Sequence, residues 1–218
     1  MGMVVAASLL ITATEASAQP AAASFFELST GAWWLGPMGF STPDAFEVGR
    51  TGDESPLFSA ESGVDGSFGV GIVAAFRLNT RWQVETGAIY ARPSLSVHLH
   101  EDAEDADDVT AEESLHRIQV DAGIVVRLGS DDRRNQPFVT AGASYLRELH
   151  EGQTLAANGQ GMYAGGGFRR VLKATPGAFI DTMGLRFDAR ILVRGGGVNL
   201  DGGTHVTAAG AAALFLGF

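Results

Sequence analysis

Apolar and polar residues alternate along most of this chain with a repeat of two, which is the period of a β-strand. Ile118 and Val120, for example, alternate with Arg117, Gln119 and Asp121. Because successive side chains of a strand point to opposite faces, the pattern predicts strands with one apolar face and one polar face. Cutting the chain at its turn-rich stretches leaves eight such segments, at residues 25–35, 67–78, 81–100, 115–128, 137–149, 162–172, 182–194 and 204–218.

The connections between these segments alternate between short and long. Little more than Asn79-Thr80 joins the second segment to the third, whereas residues 36–66 separate the first from the second. Most segments have the length that a tilted strand needs to cross a bilayer, about 9–11 residues or more. Short turns at one end and long loops at the other are typical of bacterial outer-membrane barrels. We therefore predict an all-β fold, an eight-stranded antiparallel up-and-down transmembrane β-barrel.

The glycines indicate which face of this barrel is the interior. A water-soluble barrel and a membrane barrel share the same alternation but turn opposite faces inward. The charged face also carries many glycines, among them Gly71, Gly87, Gly123, Gly142 and Gly165. Since an eight-stranded barrel has room inside only for side chains, glycines opposite arginines supply volume for them. We predict that the charged face is the interior and that the apolar face contacts lipid.

Aromatic residues on the apolar faces fall at two levels, where amphipathic rings favour the two membrane interfaces. The group toward the long loops is Trp34, Tyr90 and Tyr145, and the group toward the short turns is Phe76, Trp82 and Phe218.

The N-terminal stretch MGMVVAASLLITATEASAQP is typical of a secretory signal peptide. An apolar run over residues 3–13 precedes Ala16-Ser17-Ala18, a small-residue cleavage site. A single membrane anchor is the alternative, but the run is shorter than the roughly 20 residues of a spanning helix. We expect residues 1–18 to be removed and residues 19–218 to form the barrel.

Composition excludes several classes of function. The net charge of −10 and the single lysine, Lys173, argue against a nucleic-acid partner, because phosphate binding needs clustered Lys and Arg. The chain has no cysteine, which excludes disulfides, thiol catalysis and cysteine-based metal sites.

The strand count, the segments PFVTAGASYL and GLRFDARILVR, and the terminal Phe218 resemble small eight-stranded outer-membrane β-barrels of the outer membrane protein A and outer membrane protein X type. The resemblance covers nearly all of the mature chain. It implies location in the bacterial outer membrane, with outer-membrane lipid and the barrel assembly machinery as partners. A last strand of alternating apolar residues ending in Phe resembles the signal read by that machinery, and Leu214, Leu216 and Phe218 would carry it. Members of this family differ widely in activity, so the resemblance implies no particular function.

Charged residues on the inward faces lie toward the middle of the predicted barrel. Charges at that depth are costly unless they are paired, and the planar guanidinium of arginine suits several carboxylates at once. The predicted interior ion-pair network consists of Glu85, Arg117, Asp121, Arg186, Asp188 and Arg190, with Arg77 and Glu27 as further candidates. A gated ion path or a carboxylate pair for acid–base catalysis is the functional alternative, but a narrow barrel needs polar residues simply to fill its lumen.

Histidines and serines near the long-loop ends offer two further readings. The histidines are His98, His100, His116, His150 and His205, and the acidic run EDAEDADD lies beside them. Zn, Ni, Cu or Ca²⁺ could bind such groups, yet no spacing matches a defined metal motif, and a solvated rim is favoured. Some barrels of this size modify lipid A with His and Ser near the rim, and Ser94, Ser96, His98 and His205 would be the candidates here. They form no recognisable arrangement, so we expect no enzymatic activity and no cofactor.

The loops are where binding is expected. The first, residues 36–66, mixes apolar side chains with charges, and exposed loops on rigid scaffolds commonly carry function. The leading prediction is surface interaction or envelope integrity, with an extracellular ligand bound through the loops. The alternative is a narrow pore or small-solute transport barrel.

Overall fold

The computed structural model describes residues 24–41, 45–48, 54–100, 109–129, 134–150, 155–198 and 203–218. No helix along these ranges has the length and apolar character that crossing a membrane requires. The strands are β1 (Phe26–Leu35), β2 (Met38–Ser41), β3 (Ala45–Val48), β4 (Glu54–Val64), β5 (Ser67–Arg77), β6 (Trp82–Ala91), β7 (Ser94–His100), β8 (Val109–Ser114), β9 (His116–Arg127), β10 (Asn135–Leu149), β11 (Ala156–Ala174), β12 (Thr182–Gly196) and β13 (Thr204–Gly217). The predicted signal peptide at residues 1–18 lies outside the described residues and stays a prediction.

Eight of these strands close into an antiparallel barrel with the order β1-β13-β12-β11-β10-β9-β6-β5. Each barrel strand pairs with the barrel strands before and after it in sequence, and β1 closes the ring against β13 from Glu27↔Gly217 to Leu35↔Ala209. The prediction of an all-β, eight-stranded, antiparallel up-and-down barrel is confirmed.

The two ends of the barrel differ. Residues 78–81, 128–134 and 175–181 connect barrel strands at one end, which we call the short-turn end. The opposite end, which we call the long-loop end, carries the long connections 36–66 and 92–115, but its other two connections, 150–155 and 197–203, are no longer than the turns at 128–134 and 175–181, so the predicted alternation in length holds only in part. At the first short turn, the Asn79 side-chain oxygen accepts hydrogen bonds from the backbone N–H groups of Arg81 and Trp82, both at 2.9 Å. These bonds satisfy donors that the tight turn would otherwise leave unpaired.

The eight predicted segments correspond to the eight barrel strands, with two differences in extent. The third segment, predicted as continuous over residues 81–100, is divided at Arg92 and Pro93 into β6 and β7. Proline has no N–H to donate to a ladder, and β7 leaves the barrel wall to pair with β4. The sixth segment begins earlier than predicted, because the glycine-rich NGQG is part of β11 and pairs with the end of β12, as in Gly159↔Gly196.

A second sheet stands on the long-loop end, where the sequence predicted loops and, over β7, a continuation of the third barrel segment. This outer sheet has the order β2-β4-β7-β8, and β3 also pairs with β4. An apolar cluster joins it to the barrel and consists of Met38, Phe40, Val64, Leu95, Leu115 and Val198. Leu115 and Val198 belong to connections that return to the barrel, so the cluster closes over the mouth. The strands β2, β3 and β8 have only 4–6 residues each, too few for a clear alternating pattern.

Burial separates the two faces of the barrel strands. The outward residues of β5 are apolar and exposed, with Phe68 at 78% and Val70 at 66% of their full accessibility. The inward residues of β12 are buried although Arg186, Asp188 and Arg190 are charged. The structure therefore places the charged face in the lumen and the apolar face outside.

Space in the lumen depends on glycine where Tyr163 crosses it. A Cβ on Gly142 would lie 2.6 Å from the Tyr163 hydroxyl and 2.7 Å from Gly123 Cα. Real Cβ atoms do not approach other atoms so closely, so a side chain at residue 142 would have to displace backbone as well as the ring.

We predict that Gly142→Ala lowers the free energy of unfolding of the detergent-folded barrel by about 1–3 kcal/mol, the usual cost of overpacking. The matched control is Gly195→Ala on β12, where an added Cβ meets nothing within 4 Å. Denaturant titration of both variants is the measurement. Equal midpoints for the two variants would contradict the close packing around Tyr163.

Candidate functional site in the barrel interior

Eleven charged side chains are buried among the described residues, six arginines and five carboxylates. They are Arg117, Arg127, Arg169, Arg186, Arg190 and Arg194, with Glu27, Glu85, Asp121, Glu148 and Asp188. Every one of these arginines lies within 4.0 Å of one of these carboxylates. The contacts divide them into three groups, at the short-turn end, in the centre and at the long-loop end.

The central group contains two arginines and three carboxylates. Arg186 bonds to Glu85 and to Asp188, each at 2.8 Å. Arg190 reaches Glu85 and Asp121 at 3.2 Å and Asp188 at 3.3 Å. The structure thus brings together Glu85, Asp121, Arg186, Asp188 and Arg190, all of which the sequence placed in one network.

Barrel topology explains why these residues meet. Arg186, Asp188 and Arg190 are spaced by two on β12, so their side chains share the inward face. β6, which carries Glu85, lies four strands from β12 in the ring of eight and therefore stands opposite it. The long arginine side chains span the lumen, while the short aspartate at 188 remains beside them on their own strand.

Aromatic rings line the path of the central arginines. The guanidinium of Arg190 lies 4.7 Å from the ring centre of Trp33 and 4.6 Å from that of Tyr163. Arg186 lies 4.8 Å from the ring centre of Phe138. Arginine stacks well on such faces when it is shielded from water. The volume left by the inward glycines is therefore shared between rings and guanidinium groups, whereas the sequence assigned it to arginines alone.

Hydrogen bonds from neutral groups complete the centre. Gln119 donates its side-chain N–H to Asp121 at 2.9 Å, and Thr140 donates its hydroxyl to Glu85 at 3.3 Å. Each of these carboxylates also binds an arginine, so its lone pairs are already engaged. Carboxylates held in this way are poorly placed to take a proton from a substrate, and the arrangement favours a structural filling of the lumen over acid–base chemistry.

At the short-turn end the shared carboxylate is Glu27. It is paired with Arg169 and lies 4.0 Å from Arg127. Arg169 also donates to Gln136 at 3.1 Å. Glu27, a further candidate from the sequence, therefore belongs to this group, and Arg77 lies half-buried near the same end of β5.

At the long-loop end the shared carboxylate is Glu148, which is fully buried. Arg117 donates its Nε–H to Glu148 at 2.7 Å, and Arg194 lies 3.6 Å away. The second oxygen of Glu148 accepts the backbone N–H of Val198 at 2.6 Å. Val198 is part of the apolar cluster beneath the outer sheet. This carboxylate therefore links the polar lumen to the apolar cluster that covers its long-loop end. Arg117 thus lies in a group separate from the central one.

Four partners in these groups were missed by sequence reasoning, namely Arg127, Glu148, Arg169 and Arg194. All four fall on the inward face once the alternation of their strands is continued to the strand ends. The alternation of inward and outward residues was therefore the available signal, and following it along the whole of each strand would have identified these four residues.

The rim histidines and serines are dispersed among separate partners. His98 Nδ1 is 2.9 Å from the Thr110 hydroxyl, His150 Nδ1 is 2.8 Å from Glu113, and the His205 ring stands edge-on to Phe40. Ser96 donates to the carbonyl of Gly63. Along the part of the chain that the structure describes, no three His, Asp or Glu side chains are grouped to hold a metal ion. The acidic run at residues 101–108 and the His100 side chain lie outside that part.

The predicted assembly signal occupies the end of β13. Leu214 is 46% exposed on the outward face, and Phe218 contacts the rings of Phe26 and Phe179. The Phe218 N–H donates to the carbonyl of Phe26 at 2.8 Å. The hydrogen-bond ladder between β1 and β13, which closes the barrel, therefore extends to the last residue of the sequence. Recognition by the assembly machinery stays a prediction.

In comparisons with known proteins, no family model and no curated protein matches this chain.

The central group gives a direct test of charge pairing in the lumen. We predict that Arg190→Leu lowers the thermal unfolding midpoint in detergent. The variant removes the guanidinium that pairs with Glu85, Asp121 and Asp188, and removing one partner of a buried ion pair lowers the free energy of unfolding by about 3–5 kcal/mol. The control is Arg134→Leu, the same substitution at an exposed position. An unchanged midpoint for Arg190→Leu would contradict the assigned role of the network.

Proposed function

We propose that this chain is an integral protein of the bacterial outer membrane that acts in surface interaction or envelope integrity through its long-loop end. The observation that carries the proposal is the inverted arrangement of the barrel, with charges in the lumen and large apolar side chains outside. Met162 is 73% exposed, Phe68 78% and Val206 66%, on strands distributed around the ring. Apolar surface of this extent is typical of contact with membrane.

Aromatic side chains support the same placement. Toward the long-loop end Trp34, Tyr90 and Tyr145 are 39%, 41% and 50% exposed. Toward the short-turn end Phe76 and Trp82 are 44% and 46% exposed. Outward aromatic residues at two levels fit the two interfaces of a bilayer.

The outer sheet supports a role in binding. Its strands continue beyond the barrel wall and are held by the apolar cluster, so they form a scaffold of defined shape on the long-loop end. Within the described residues, β8 pairs on one side only, with β7. A strand with an unpaired edge can accept an extended segment from another molecule. In this proposal the protein is not an enzyme, and its partners are outer-membrane lipid, the barrel assembly machinery and an extracellular ligand.

The competing function is a narrow pore or small-solute transport barrel. The three groups of ion pairs and the inward rings of Trp33, Phe138 and Tyr163 occupy the lumen through which a solute would have to pass. A lumen filled with side chains supports a protein that does not conduct.

We predict no steady single-channel conductance when the folded chain is reconstituted into planar bilayers. The comparison is the double variant Arg186→Ala with Arg190→Ala, which empties only the central group; because the Glu27 and Glu148 groups still fill the two ends of the lumen, it is also expected to show no steady conductance. Folding of both proteins is checked by their heat-modifiable mobility on gels. Stable, regular steps from the unaltered chain would contradict the closed lumen and favour the transport function.

The assembly signal is tested by separating biogenesis from folding. Phe218→Ala is expected to lower the amount of folded barrel in the outer membrane of cells, while refolding of the purified variant in detergent stays near that of the unaltered chain. Phe26→Ala removes one of the two ring contacts of Phe218, and Phe179→Ala removes the other, in each case without altering the C-terminal residue. Equal losses in cells for all three variants would indicate that the ring contacts matter and that a C-terminal signal does not.

A further inference from the structure

A groove lies on the outer surface of the barrel near its long-loop end. Its volume is about 370 Å³, and its lining residues are Phe68, Gly69, Val70, Tyr90, Ala91 and Arg92. β5 and β6 form its floor, where Val70 pairs with Tyr90 and Gly69 with Ala91. The groove is therefore apolar along the barrel wall and has a single charged residue, Arg92, at the end nearer the loops.

Polar and basic groups continue from this groove across the next two strands. The Tyr90 hydroxyl lies 2.7 Å from Nδ1 of His116 on β9. Tyr90 pairs with Ile118, and Ile118 pairs with Arg147 of β10, so these residues lie at one level around the barrel. Arg147 is exposed on the outward face. With strands about 4.8 Å apart, the two arginines flank the Tyr90–His116 pair within reach of one headgroup.

These two arginines differ from the arginines of the lumen. Each buried arginine has a carboxylate within 4.0 Å. Arg92 and Arg147 form no ion pair with any residue in the described ranges and project from an apolar surface. Positive charge of this kind, on a chain whose net charge is −10, is complementary to an anion supplied from outside the barrel.

We propose that this surface binds an anionic lipid with a phosphorylated headgroup, in the leaflet on the long-loop side. The headgroup phosphate lies between Arg92 and Arg147 beside the Tyr90 hydroxyl, and an acyl chain follows the groove along Phe68 and Val70. Basic residues at a membrane interface attract anionic headgroups, and an adjacent apolar groove selects a lipid over a free anion. The inference rests on the proposed function, because it requires these strands to face a bilayer.

The test uses the full chain in nanodiscs that contain phosphatidylglycerol and phosphatidylcholine in equal amounts. Lipid that remains bound after release from the disc is measured by native mass spectrometry. We expect phosphatidylglycerol to be retained in preference to phosphatidylcholine. Arg92→Gln and Arg147→Gln are each expected to reduce that preference about fivefold, since one arginine near a charged surface contributes roughly 1 kcal/mol.

Lys173→Gln is the matched control, since Lys173 is exposed on the outside near the short-turn end. This variant should keep the preference of the unaltered chain. Inorganic phosphate added in excess should not displace the bound lipid, whereas displacement would identify a site for the free anion and overturn the assignment to a lipid.

Two results would overturn the inference while leaving the proposed function intact. One is equal retention of the two lipids by an inserted, folded barrel. The other is an equal loss of preference in Lys173→Gln and Arg92→Gln, which would indicate general surface charge. Failure of the chain to enter nanodiscs would instead contradict the proposed function itself.

Discussion

A ring of eight strands encloses a lumen only wide enough for side chains, and the rest of the structure depends on how that lumen is filled. Charged groups there are withdrawn from water, so each needs a partner of opposite sign within the lumen. Arg186 and Arg190 provide this by reaching from one wall to Glu85 on the opposite wall. The cross-lumen bonds tie distant strands together, which ladder hydrogen bonds between neighbours cannot do.

Because the polar side chains of each strand face the lumen, its alternate apolar side chains face the outside of the barrel. The same alternation that places Arg190 inward places Ile191 outward, where it is 59% exposed. The long-loop end adds a second structure, in which Glu148 ties the polar interior to the apolar cluster below the outer sheet. The barrel is thus filled along its length and covered by the apolar cluster at its long-loop end.

Much of this architecture could be predicted from the sequence, because a strict repeat of two survives wherever one face of a strand meets the lumen. That repeat located all eight barrel strands and five members of the central group. It did not reveal the outer sheet: only β7 fell within a predicted segment, as a continuation of the third barrel strand, and the pairings of β4 with β2 and β7 join residues distant in sequence. It also did not indicate that Arg117 pairs with Glu148 and not with the central carboxylates, because that pairing depends on the stagger between strands.

The three tryptophans distinguish a membrane barrel from a soluble one most directly. Trp33 is buried in the lumen at 3% exposure, whereas Trp34 and Trp82 face outward. Variants that retain one tryptophan each, with phenylalanine at the other two positions, are reconstituted into bilayers of lipids with brominated acyl chains. Fluorescence of Trp34 and Trp82 should be quenched strongly and that of Trp33 weakly. Strong quenching of Trp33 and weak quenching of Trp34 and Trp82 would contradict the account, because it would show that the apolar faces are shielded inside the protein and that the charged faces lie outside.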